Sequence, residues 1–257
     1  MDEQILDENF FIREKIYSAN TSQYEKYSTL VLGKASLFEL IKYELINFIF
    51  GPLPGALGLF LRKKFYPLLF KKIGKNVIFG KNLTIRNSEN IVIGNNVVID
   101  DYAFLDGRGA INDKVMIDDN TIIGRNVIIH SKVGPIHIGN HCNIGAHTII
   151  TAQGGVRIGN WVQIAGGCKI SGGLFKYNQN KLDGVPFDRY TKGQIVIKDK
   201  CIIGGSSSII DGVTIGKCSM VGTGSVVTNS IPDFSIYSSR PGFIIGKTWT
   251  DKPDDTL

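Results

Sequence analysis

The chain has 257 residues, 43% hydrophobic and 20% charged, with 30 glycines against 8 prolines, a composition that excludes disorder and, lacking a G-X-Y period, collagen. Its net charge of +6 is local rather than spread. Arg62, Lys63, Lys64, Lys71, Lys72 and Lys75 fall within residues 52–76, which hold no acid, so the rest sums to zero and a globally basic nucleic-acid binder is not expected.

The first residues, MDEQILDENFF, are acidic and do not read as a secretory signal. Residues 1–72 are read as a helical N-terminal region. Residues 37–50, LFELIKYELINFIF, predict an apolar helix with Glu39, Lys42 and Glu44 as its polar points, broken by GPLPG because proline removes a donor and clashes with the preceding turn. A second apolar stretch, ALGLFLRKKFYPLLFKK, follows. The 17 uncharged residues between Glu44 and Arg62 fall short of the ~20 a spanning helix needs and contain two prolines and three glycines. Two readings stand. Residues 45–72 lie at a membrane interface, with Arg62 and the lysines meeting anionic headgroups at the inner face, or both stretches cover the core of the next region.

From residue 73 an aliphatic or aromatic residue recurs every six positions, often followed by glycine. The groups are Ile73, Phe79, Ile85; Ile93, Ile99, Leu105; Ile117, Ile123, Ile129; Ile138, Ile144, Ile150; Ile158, Ile164, Ile170; Ile197, Ile203, Ile209; and Ile215, Val221, Val227. Every irregular spacing falls after the third member of a group. This predicts a β-solenoid over residues 73–230: a three-sided prism of seven coils, about 34 Å tall, with all insertions leaving one edge. The longest insertion is a protruding loop at 171–196, and residues 231–257 form a tail. Cys142, Cys168 and Cys201 occupy inward positions, which assigns them to packing. With Cys218 they form no C-x-x-C pair, so reduced thiols in a cytoplasmic protein are expected. The outward positions of coils two and three (Val92, Val98, Phe104, Met116, Ile122, Ile128) are apolar and predict cover by the N-terminal helices, by other subunits or by both.

This hexapeptide pattern, with GVTIGKCSMVGTGSVVTNSIP at 212–232, resembles the hexapeptide-repeat acyltransferases. The likeness is nearest to the branch of maltose, galactoside and surface-polysaccharide O-acetyltransferases. It implies a left-handed parallel β-helix, a homotrimer, and acetyl-CoA held in a cleft between subunits and lined by Gly204, Gly205, Gly222, Thr223, Gly224 and Thr228. The family's closing signature is degraded here to Ser238, Ser239, Arg240, Pro241, Gly242, Phe243, Ile244 and Ile245.

The resemblance implies a histidine base that deprotonates a sugar hydroxyl as it attacks the thioester. Phe175 stands at that position, and no histidine follows residue 147. One coil earlier, where the family often has an acceptor-facing asparagine, this chain has His147. His147 is either a relocated base in the cleft that Phe175 also lines, or a surface turn residue beside a lost site. His130 reads as a solvated corner residue, His137 as outward-pointing and His141 as a turn residue. The γ-class carbonic anhydrases share the fold that this resemblance implies and bind metal between subunits, but the histidine spacing here does not match that class and no metal is expected. In the loop, Phe175, Tyr177, Asp183, Phe187, Asp188, Arg189 and Tyr190 suit contact with a sugar or adenine, or subunit packing. The expected function is O-acyl, in particular O-acetyl, transfer to a sugar hydroxyl of a cell-surface glycan or its precursor. The alternative is a non-catalytic trimeric scaffold.

Overall fold

A computed structural model describes residues 4–5, 21–34, 36–108, 115–177, 187–239 and 243–247. Helix α1, Gln23–Leu32, begins at Ser22, whose side chain and Glu25 form a reciprocal capping box, and ends at Gly33 in the left-handed region. Helices α2, Leu37–Phe50, and α3, Gly55–Phe65, flank the proline break. Among the described residues no helix is long and apolar enough to cross a membrane.

Residues 72–227 wind into a left-handed parallel β-helix of seven coils, the first made by Lys72–Ile73, Ile78–Phe79 and Thr84–Arg86. The three strand positions of successive coils stack in register, as in Ile138 opposite Ile117 and Ile158, Ile144 opposite Ile123 and Ile164, and Ile150 opposite Ile129 and Ile170. The aliphatic residues named from the repeat fill the axis and are almost all buried. Each fully buried isoleucine contributes about 1.5–3 kcal/mol. The buried thiols of Cys142, Cys168 and Cys201 point to carbonyls of the coil above: Gly159, Gly204 and Gly216 at 3.0, 3.3 and 2.9 Å.

At the first two corners every coil places one residue at positive φ, and at the third corner only some coils do, as at Asn87, Gly173 and Gly212. The first corner carries Asn76, Asn96, Asn120, His141, Trp161, Lys200 and Cys218; the second carries Asn82, Tyr102, Asn126, His147, Gly167, Ser206 and Gly224. Asparagine suits this conformation, and side-chain amides of Asn76, Asn96 and Asn120 stack at 3.3 and 3.1 Å. Later coils place bulkier residues there, held because each corner N–H donates to the coil below.

Coil one has no coil beneath it, and the helices stand in for one. The Asn82 N–H donates to Gly51 O (3.0 Å) and the Asn87 N–H to Val31 O (2.7 Å), where higher coils use the preceding coil's carbonyls. The matching orphan acceptor, Phe79 O, receives Arg62 Nε at 2.9 Å. Arg62 Nη1 also donates to Phe50 O (3.2 Å) and Leu53 O (2.6 Å). Arg62 is therefore 3% exposed. It is not part of an outward basic patch, because its guanidinium is consumed in closing the solenoid end. Helices α1 and α3 pack on coil one, whereas Met116 and Ile122 on coil three stay exposed, so the helices are not the cover expected for those outward residues.

At the other end an eighth coil starts. Ile231 bridges Ile215, and Ser235–Ser238 pairs parallel to Met220–Val221, so the tail begins by continuing the solenoid. Phe243–Lys247 then runs antiparallel to Ser235–Ser238.

Candidate active site

His147 is an exposed residue at the second corner of coil four, with φ of 61° and its N–H donating to Arg125 O at 3.0 Å. The same edge rises through Gly167, whose N–H donates to Ala146 O (2.9 Å), Ser206 to Gly166 O (3.0 Å) and Gly224 to Gly205 O (2.8 Å). His147 thus shares one edge with Gly204, Gly205, Gly222, Thr223 and Gly224. Small residues dominate it above His147, leaving backbone open to an approaching ligand. At Gly204 a Cβ would come within 2.5 Å of Thr223 N, so its glycine is demanded by the stacking of coils. Thr228 does not join this edge. It follows Val226–Val227, which places it at the third corner of coil seven, because the chain has by then turned through one more side of the prism.

Phe175 also lies elsewhere. The protruding segment is a hairpin of Leu174–Tyr177 and Phe187–Thr191, leaving the third corner of coil five, and Gln4–Ile5 adds a further antiparallel strand to it. Its boundaries are 172–194, since 171 and 195–196 belong to coil strands. Phe175 is 65% exposed, with Tyr177 similar. Within one chain His147 and Phe175 therefore occupy different edges, and the cleft expected to hold both would need a second copy. Asp183, Arg240, Pro241 and Gly242 lie outside the described residues.

The hairpin is anchored by a residue that the repeat pattern does not flag. Buried Asp211 accepts hydrogen bonds from the Gly173 N–H (2.8 Å), from Thr191 Oγ1 (3.0 Å to each carboxylate oxygen) and from the Lys192 N–H. Both ends of the protrusion are thus tied to one carboxylate. The motif ILE-ILE-ASP-GLY at 209–212 offered the only signal, an acid in an otherwise apolar corner.

The remaining histidines are dispersed. His137 Nε2 meets Asp118 Oδ2 at 2.7 Å on the first face. His141 stacks on exposed Trp161 with centroids 4.1 Å apart and planes 8° from parallel. His130 lies on the third side, 3.9 Å from buried Asp106, which pairs with Arg108 at 2.7 Å. Burial pulls the His130 imidazole below its ordinary pKa. Among the described residues no three His, Cys, Asp or Glu side chains are grouped to hold a metal. A shallow groove of about 310 Å³ on the first side is lined by His137, Arg157, Lys198, Asp199 and Lys217, a mainly cationic set suited to phosphate groups.

Residues 135–174 and 194–229 match the family described as hexapeptide repeat of succinyl-transferase. A 54-residue stretch is 43% identical to the dTDP-3-amino-3,6-dideoxy-alpha-D-galactopyranose 3-N-acetyltransferase of Aneurinibacillus thermoaerophilus, covering 21% of this chain and 28% of that protein. The chain spans about a third or less of the length of the curated relatives it matches. Among solved structures, the polySia specific acetyltransferase NeuO aligns at TM-score 0.51 and 21% identity over 72% of this chain and 87% of that one. The polysialic acid O-acetyltransferase OatWY aligns at TM-score 0.51 and 20% identity over the same shares, 72% and 87%. These two likenesses show the fold.

Proposed function

Since the chain belongs to the hexapeptide-repeat family, we propose that it is an acyltransferase that moves an acetyl group from acetyl-CoA to a sugar hydroxyl of a cell-surface glycan or its precursor. The observation that carries this reading is the edge shared by His147 and the open corners of coils six and seven, which falls inside the stretch matching the family. In the proposed reaction the His147 imidazole takes the proton of the acceptor hydroxyl as its oxygen attacks the thioester carbonyl. The C–S bond then breaks, the thiolate leaves as CoA, and the sugar carries the new ester. Gly204, Gly205, Gly222, Thr223 and Gly224 would line the donor. The N-acetyltransferase among the relatives is named for a sugar substrate, which supports the acceptor class.

The active unit is proposed to be a homotrimer, because a cleft reached by both the His147 edge and the third-corner hairpin needs a neighbouring copy. Sedimentation should give about three times 28.2 kDa. In a thiol-release assay with acetyl-CoA, His147→Ala should keep the assembly and CoA affinity while lowering turnover by about 10² to 10⁴. Full activity in this variant would remove His147 from the chemistry. Phe175, standing exposed where the family has its base, favours a second reading, a trimeric scaffold without catalysis. Absence of both CoA binding and thiol release in the unmodified protein would select that reading.

A further inference from the structure

The end of the solenoid closed by the helices presents a second surface with its own chemistry. At 100° per residue, Leu37, Phe38, Ile41, Leu45, Phe48 and Ile49 fall within an arc of about 120° on α2. All six are exposed, Phe38 at 79% and Phe48 at 82%. The opposite side of α2 carries the buried Leu40, Tyr43 and Ile46. Helix α3 repeats the arrangement: Leu57, Leu59 and Phe60 are exposed, and Gly58 and Arg62 are buried. The two helices are joined by stacked Phe50 and Phe65, with centroids 4.3 Å apart. The buried side of α3 is spent on coil one and that of α2 on the neighbouring helices and the shared core, so their apolar exposed sides are left without a partner within the described residues.

The charge left without an ion-pair or hydrogen-bond partner around this surface, among the described residues, is positive. Lys63 and Lys64 lie on the exposed side of α3, and Lys71, Lys72 and Lys75 are exposed just beyond it. Nearby acids are engaged elsewhere. Glu39 and Glu89 both pair with Lys34, and Glu44 accepts a hydrogen bond from the Tyr27 hydroxyl at 2.6 Å. Among the described residues no carboxylate pairs with Lys63, Lys64, Lys71, Lys72 or Lys75. A second copy of the same face would bring like charges together. An anionic bilayer supplies apolar depth for the phenylalanines and leucines, and headgroup phosphates for the lysines. At 14 and 11 residues the helices are too short to span it and are suited to lying in its interface.

We propose that the end face formed by α2 and α3 docks on an anionic phospholipid bilayer, with Phe38, Phe48 and Phe60 inserted and the lysines at the headgroups. Arg62 takes no part, because it is buried. Docking requires neither acyl donor nor acceptor, so its test is separate from that of the transfer reaction.

The experiment is flotation of the full chain with vesicles of phosphatidylcholine alone or with a quarter phosphatidylglycerol, at low and at physiological salt. The unmodified protein should float with the anionic vesicles, less at higher salt. Lys63→Gln with Lys64→Gln should weaken partitioning about 25-fold, from roughly fivefold per lysine near a charged surface. Phe38→Ser, Phe48→Ser and Phe60→Ser together should abolish flotation on both vesicle types with an unchanged circular dichroism spectrum, since all three side chains are already exposed. Failure of the unmodified protein to float would overturn the proposal. So would unchanged flotation of the triple phenylalanine variant, or a lipid-free assembly whose mass falls by a whole multiple in that variant, which would identify the face as a contact between copies.

Discussion

Arg62→Met tests how the solenoid end is held. The substitution keeps most of the volume of a side chain that is 3% exposed and removes its donors to Phe79 O, Phe50 O and Leu53 O. Each buried carbonyl left without a donor costs about 1–3 kcal/mol. Relief from burying a charge that has no carboxylate partner among the described residues offsets part of that sum. A net loss of about 3 kcal/mol follows, equivalent to roughly 6–12 °C in melting temperature for a chain of this size. Arg62→Lys, whose single ammonium cannot reach three carbonyls in fork geometry, should recover no more than about half. Thermal unfolding by circular dichroism measures the loss. Hydrogen exchange locates it: the Asn82 and Asn87 amides should lose protection before that of Ile144 in coil four. A melting temperature within about 2 °C of the unmodified protein, with those two amides still protected, would refute the assignment of Arg62 as the tie between helices and coils.

Three further outcomes are expected. Asp211→Ala releases both ends of the hairpin, so tryptic cleavage within 172–194 should accelerate about tenfold or more while the coils stay resistant. His130 has a folded pKa below its ordinary 6.5, through burial chiefly and despite Asp106, so the unfolded chain binds the proton more readily. Stability is then retained above about 6.5 and lost as pH falls below it, and His130→Gln should reduce the drop in urea midpoint between pH 7 and pH 5. Burial pushes the thiols of Cys142 and Cys201 up to about 11 and raises that of Cys168, so at pH 8 Ellman's reagent should react first with half-buried Cys218 and with the other three only on unfolding.

The stacking of Ile73 on Ile93 and of Phe79 on Ile99 was legible from spacing alone, because a period of six admits one inward residue per side and a slip would bury polar neighbours. Whereas the resemblance placed His147 in a cleft with Phe175, the same rule would put it on the edge of Gly204 and Gly224, since they sit at equivalent places in their coils. It also could have excluded Thr228, whose position after a third aliphatic belongs to another corner. Arg62 was read as one more cation in a basic run because nothing local marks a charge that ends up capping carbonyls 9, 12 and 17 residues away. Asp211 was missed for a related reason: its partners lie 19, 20 and 38 residues back, across an insertion whose path has no period.

A stack of interchangeable layers has no intrinsic first or last member; its top rung fits its bottom rung as well as it fits its neighbours. What gives this chain a finite length is the change of structure at each end, helical carbonyls and a guanidinium below coil one and a reversed strand beyond the last. Below coil one the ladder meets helical carbonyls and a side chain instead of a strand, and beyond the last coil the reversed strand closes one of the three sides. A chain deprived of its helical terminator would present the edges of its first three strands for another chain to join.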